Sequence, residues 1–175
     1  MLSSEAIKKA IPNIITLTNL SFGVLSILAV YDGDYVAGAV LIMLAAFIDR
    51  YDGKAARYFN TACELGKSLD SLSDLISFGV APGILMFVKF NSQNTGILPL
   101  MILLAYVVCG AYRLARYNVT EFDGFFMGVP ITVAGFMIAA FSLWAPCNLT
   151  TEIISNVITV LLAFLMVSKF KLQKR

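Results

Sequence analysis

Six runs of mostly apolar residues, each close to the length of a membrane-spanning helix, alternate along the chain with short polar breaks. The runs cover 12–31 (PNIITLTNLSFGVLSILAVY), 35–58 (YVAGAVLIMLAAFIDRYDGKAARY), 68–90, 97–117, 128–146 and 151–169. The breaks are DGD at 32–34, NTACELG at 60–66, NSQNTG at 91–96, NVTEFDG at 118–124 and APCN at 145–148, each rich in turn-forming residues. About 20 helical residues cross the hydrocarbon core of a bilayer. The pattern therefore predicts an all-α integral membrane protein with six transmembrane helices, forming one domain over 1–175 with no room for a separate soluble unit. Residues 1–11 carry Lys8 and Lys9 among apolar neighbours and predict a short helix lying along the membrane surface. A cleaved signal peptide is not expected, because no small-residue cleavage site follows the charges and the first run is too long for a signal core.

Composition agrees with this pattern. Of 175 residues, 59% are hydrophobic and 14% charged, against roughly 45–50% and about 25% in a soluble domain. Mean hydropathy is +0.82. Charge adds an orientation, because Lys and Arg flanks stay in the cytoplasm. Lys8 and Lys9 precede the first run, Arg50, Lys54, Arg57 and Lys67 surround the second break, Arg113 and Arg116 close the fourth run, and Lys169, Lys171, Lys174 and Arg175 end the chain. The alternate breaks hold only Lys89. Both termini and the second break are thus expected on the cytoplasmic side of the cell membrane. The basic rim suits anionic headgroups, and no nucleic acid is expected as a partner.

The chain contains no histidine, which removes His-based general base catalysis, Ser-His-Asp triads and most zinc sites. Cys63, Cys109 and Cys147 show no metal-ligand spacing and read as idle or buried thiols. Asn148-Leu149-Thr150 matches a glycosylation acceptor, a weak signal at a tight turn.

What hydropathy alone does not explain is the stretch from Asp49 to Asp74, DRYDGKAARYFNTACELGKSLDSLSD, which places four aspartates on two membrane segments. A carboxylate near the centre of a spanning helix costs about 2.5–3.5 kcal/mol, so four could approach ~10–14 kcal/mol before interfacial position reduces the figure. Asp49 and Asp52 are three apart and Asp70 and Asp74 four apart, so each pair shares a helix face. A tight turn would set the pairs opposite one another, and four confined carboxylates repel unless cations sit among them. Oxygen ligands alone favour a hard divalent ion such as Mg²⁺ or Mn²⁺. The competing reading is a solvated rim in which the acids pair with Arg50, Lys54, Arg57 and Lys67. It leaves unexplained the small residues Gly53, Ala56 and Gly66 beside the acids, where a ligand could approach the backbone.

The pattern D-x(2)-D-G-x(2)-A-R-x(8)-G-x(3)-D-x(3)-D, met at Asp49, Asp52, Gly53, Ala56, Arg57, Gly66, Asp70 and Asp74, resembles the signature of the CDP-alcohol phosphotransferases. The resemblance implies six transmembrane helices, a homodimer, and two divalent cations at the cytoplasmic side. It implies that Asp49, Asp52 and Asp70 hold the metals and that Asp74 contacts one of them while acting as general base. By the same resemblance, Gly53 and Ala56 line a cytidine cleft and Arg57 is a candidate for contacting phosphate, with a structural pairing to an aspartate as its competing role. Asn13, Thr16 and Asn19 form a stripe on the first run and, with Gly66 and Ser77, are candidates for binding the CDP-lipid; Gly79 lies beside Ser77. For the polar stripe, plain interhelical hydrogen bonding competes with that use.

The stretches IPNIITLTNLSFG, CGAYRLARYNV, FFMGVPITVAG and FLMVSKFK resemble the phosphatidylserine synthase branch of that family, and relatives that make phosphatidylglycerol phosphate usually show Arg where this chain has Asn19. The implied reaction is transfer of the phosphatidyl group from CDP-diacylglycerol to L-serine. Arg113 and Arg116, with Asn118 beyond them, are the candidate serine site, since a carboxylate needs a cation; membrane anchoring is their competing role. Glycerol 3-phosphate or inositol phosphate remains an alternative acceptor. From other classes, an ion-coupled transporter usually places its acids at the midplane on broken helices of a repeated fold, a membrane prenyltransferase spaces its acids differently, and a scaffold has no need of a small-residue cleft.

Overall fold

A computed structural model describes the backbone of residues 4–59, 64–91, 96–119, 125–168 and 171–173; Cys63 lies outside them. The side chains of 4–12, 52–59, 125–127 and 171–173 are also outside the described part. The helices are α1 (Ser4–Tyr31), α2 (Tyr35–Phe59), α3 (Glu64–Asp74), α4 (Ala81–Asn91), α5 (Ile97–Val119), α6 (Ile131–Trp144) and α7 (Leu149–Val167). A π-helical segment, Leu75–Val80, joins α3 to α4, so seven α-helices make six rods, as the six apolar runs predict.

Glu64–Asn91, Asn13–Tyr31, Ile97–Val119 and Leu149–Val167 are long and apolar enough to cross a membrane. Their outward faces carry large apolar side chains such as Leu28, Leu72, Val108 and Phe164, which suits a lipid surround. The chain is an integral membrane protein. The rod α3–π–α4 is the centre of the bundle: α1 and α6 pack along it, α5 and α7 close its other side, and its Phe78, Ala81 and Leu85 are fully buried.

The first turn follows directly from its sequence. Gly33, at φ +83°, ends α1; its N–H donates to Val30 O and the Asp34 N–H to Ala29 O, the pair of bonds that closes a Schellman motif. Asp34 then caps α2, accepting from the Ala37 N–H at 2.9 Å. Asn148 caps α7 in the same way: its side chain accepts from the Thr151 N–H, and its own N–H donates to Thr151 Oγ1. That structural use accounts for the asparagine of the glycosylation-like triplet.

Four expectations change. Helix α1 is continuous from Ser4, so the residues expected to form a separate surface helix extend the first rod. The third rod begins at Glu64, inside the expected break; in α3, Lys67 and Ser71 bond Asn118 of α5, and Asp70 and Asp74 meet Asp49 of α2. The fifth rod has 14 helical residues and not the full 128–146, since Pro130 is its N-cap and the chain turns extended at Ala145, before Pro146. The all-α expectation also gains an antiparallel ribbon in which β1 (Phe125–Met127) pairs with β2 (Lys171–Gln173).

Just past that ribbon the chain presses against the end of α7. Gly128 has φ +75°, and a Cβ there would stand 2.4 Å from Met166 O. Val129 N–H donates to Leu165 O at 3.2 Å. A side chain at 128 is both strained and sterically blocked. Gly128→Ala is expected to destabilise the bundle by on the order of 1–3 kcal/mol, read as a lower melting temperature in detergent by circular dichroism. An unchanged melting temperature would mean that this junction relaxes freely.

Candidate active site

Two rods bring the acids together. Asp49 lies in the second half of α2, and Asp70 and Asp74 lie one turn apart on α3. One carboxylate oxygen from each lies within 4.8 Å of the others, with Asp74 buried and Asp49 and Asp70 half-buried. At an effective dielectric constant of about 20, each ionised pair at that separation repels by roughly 3 kcal/mol. The donor set is oxygen only and suits a hard divalent cation. This acidic cluster can hold a metal ion.

The carboxylates are held from two sides. Thr132 Oγ1 on α6 donates to Asp49 Oδ2 at 3.3 Å. Asn19 Nδ2 on α1 donates to Asp74 Oδ1 at 3.4 Å. Asn19 is itself fixed, because the Ser77 hydroxyl donates to its backbone carbonyl at 3.0 Å. That bond requires a close crossing of α1 and the central rod at Gly23, where a Cβ would stand 2.5 Å from Ser77 Oγ. Two buried oxygens in this region, Asn19 Oδ1 and Ser73 Oγ, have no hydrogen-bond partner. Unpaired buried polar atoms are costly, and at a site that takes a polar ligand they are accounted for.

The expected site residues divide as follows. Thr16 and Asn19 are buried on the inner stripe of α1 with Asn13 half-buried at its start, and Gly66 is half-buried one turn before Asp70. Ser77 and Gly79 are buried in the π segment. Asp52, Gly53, Ala56 and Arg57 are carried by the last turns of α2, with side chains outside the described residues. The two arginines separate. Arg116 Nη1 donates to Val167 O at 3.2 Å, capping the carbonyl end of α7. Arg113 is half-buried within electrostatic reach of Asp74, and its buried Nε has no hydrogen-bond partner. Asn118 Nδ2 donates to Ser71 Oγ at 2.8 Å and its carbonyl accepts from Lys67 Nζ at 2.8 Å, so it ties α5 to α3.

Thr132 was not among the residues singled out in the sequence. Its only signal is a hydroxyl two positions after the proline that starts an otherwise apolar helix. Asn19 takes a role that its position on a polar stripe did not specify, as donor to Asp74.

Comparison with known proteins agrees with this geometry. The family model described as CDP-alcohol phosphatidyltransferase matches residues 9–168. The chain is similar to an archaetidylserine synthase of Methanothermobacter thermautotrophicus, at 38% identity over 168 residues, covering 93% of this chain and 69% of the relative. It is similar to proteins named CDP-diacylglycerol–serine O-phosphatidyltransferase from Methanocaldococcus jannaschii (33% over 165 residues, 94% and 74% covered) and Bacillus subtilis (32% over 162 residues, 92% and 88% covered).

Proposed function

Since the chain belongs to the CDP-alcohol phosphatidyltransferase family, we propose that it is an enzyme that moves the phosphatidyl group of CDP-diacylglycerol onto L-serine, giving phosphatidylserine and CMP. The observation that carries this reading is the convergence of Asp49, Asp70 and Asp74, with Arg113 within electrostatic reach of Asp74. Serine is also common to the names of the relatives above.

Asp49, Asp70 and Asp74, with Asp52, would hold two divalent cations, Mg²⁺ or Mn²⁺. Bound there, such ions neutralise the pyrophosphate of the CDP-lipid and stabilise the departing CMP. The chain's own groups do the rest. Asn19 fixes one oxygen of the Asp74 carboxylate and thereby orients it. Asp74 takes the proton from the serine hydroxyl as that oxygen attacks the phosphorus of the phosphatidyl group. A P–O bond to serine forms, the P–O bond to CMP breaks, and the proton rests on Asp74. Asn13, Thr16, Gly53, Ala56, Arg57, Gly66 and Ser77 are assigned to the CDP-lipid. In this reading the site faces the cytoplasm, both termini lie on that side of the cell membrane, and the protein is a homodimer.

Arg113 is assigned to the serine carboxylate, with Arg116 and Asn118 at the edge of the pocket. Arg113→Lys keeps the charge but loses the planar fork that grips a carboxylate through two hydrogen bonds. A charge-assisted hydrogen bond contributes roughly 1.5–3 kcal/mol, so the KM for serine is expected to rise about tenfold or more. CDP-lipid binding is expected to hold, and serinamide, which lacks the carboxylate, is expected to lose much less than serine. Unchanged serine kinetics would make Arg113 an anchor and place the acceptor pocket elsewhere.

A further inference from the structure

The central rod changes its helical winding one residue beyond Asp74, and its sequence contains the cause. Pro82 has no N–H, so the carbonyl of Phe78, four residues earlier, cannot receive its α-helical hydrogen bond, and the proline ring crowds that same carbonyl. The rod widens into the π segment Leu75–Val80, where the Ala81 N–H reaches back five residues to Ile76 O. The carbonyl left over is taken by another rod. Tyr106 Oη on α5 donates to Phe78 O at 2.9 Å, with both residues fully buried.

A π turn amounts to one inserted residue, which rotates the helix on one side by about 100° relative to the other. Here that rotation lets the two halves of the rod satisfy different neighbours. The first half presents Asp70 and Asp74 to Asp49 and Asn19. The second half buries Ala81 and Leu85 in the core. Were the winding to relax, Asp74 and Ser77 could not hold their register against Asn19 while Leu85 kept its place.

We infer that Tyr106 is a positioning residue: its hydroxyl holds the π turn created by Pro82, and through it the angle at which Asp70 and Asp74 face the cation site. This rests on the reading of the acidic cluster as the metal-holding, proton-accepting site. Its hydroxyl acts through the Phe78 carbonyl, the group to which it donates.

Tyr106→Phe removes one oxygen and leaves the ring in place. The test measures Mn²⁺ binding to the purified protein in detergent by electron paramagnetic resonance, alongside kcat and serine KM. Tyr106→Phe is expected to weaken Mn²⁺ binding about three- to tenfold and to lower kcat about tenfold, with serine KM within twofold of wild type. A variant that melts earlier yet binds Mn²⁺ and turns over like wild type would overturn the inference and leave Tyr106 a packing residue. A second comparison isolates the route. Pro82→Ala restores a backbone N–H for the Phe78 carbonyl, so in that background Tyr106→Phe is expected to cost less than twofold in Mn²⁺ affinity. An undiminished loss there would show that Tyr106 does not act through that carbonyl. If wild type binds Mn²⁺ but releases no CMP with serine, the proposed reaction falls, while the positioning role stands or falls on the Mn²⁺ affinities alone.

Discussion

Asp74→Asn is expected to lower kcat by about 10²–10⁴-fold, the range that a positioned general base contributes, while CDP-diacylglycerol affinity stays within a few-fold of wild type. The replacement amide keeps the shape of the side chain and an oxygen that can still accept from Asn19 Nδ2, so the crossing of α1 with the central rod survives. What it lacks is the capacity to take up the serine proton, a loss felt only in the transition state. Asp70→Asn is the control. It removes a half-buried member of the cluster on the same helix, one turn away, and is expected to weaken metal binding and turnover together. Steady-state kinetics and CDP-lipid binding on both variants separate the roles. Equal loss of lipid affinity in the two would make Asp74 chiefly a ligand.

Chelation is expected to have a comparably large effect. Carboxylates within 4.8 Å of one another cannot all remain ionised beside a pyrophosphate without a compensating cation. The chain offers no histidine to take a metal's place as an electrophile. EDTA is therefore expected to abolish CMP release, and Mg²⁺ or Mn²⁺ in excess to restore it; Ca²⁺, larger and looser in its coordination, is expected to restore it poorly. Full turnover in metal-free buffer would remove the metal site from the account.

Much of the architecture could be read before any coordinates, for identifiable reasons. The rods announce themselves because a membrane leaves little choice: a backbone in lipid must satisfy its own hydrogen bonds, so apolar runs of about 20 residues become helices. Asp32-Gly33-Asp34 ends one helix and caps the next through local chemistry alone. The acidic cluster was legible because Asp70 and Asp74 at i, i+4 share a face regardless of the rest of the fold.

The features that escaped depend on contacts between distant segments. Thr132 meets Asp49 across 83 positions, and nothing local marks that hydroxyl as different from others in apolar helices. Arg113 and Arg116 look equivalent in sequence, yet the end of α7 takes Arg116 and leaves Arg113 beside Asp74. Pro82 lies inside the expected 68–90 run, and nothing in that run marks the π turn Leu75–Val80 or the Tyr106 hydroxyl of another rod that meets Phe78 O. The three-residue ribbon joins Phe125–Met127 to Lys171–Gln173, strands too short for alternation to reveal.

The central claim is the identity of the transferred group and its acceptor, and an acceptor panel tests it most directly. Purified protein in detergent with CDP-diacylglycerol and Mn²⁺ would be given serine, glycerol 3-phosphate, inositol, inositol phosphate or choline in turn, with CMP release and the lipid product measured together. The account predicts that serine alone drives rapid CMP release, matched mole for mole by phosphatidylserine. CMP release that prefers glycerol 3-phosphate or inositol phosphate, or none with any acceptor, would contradict it.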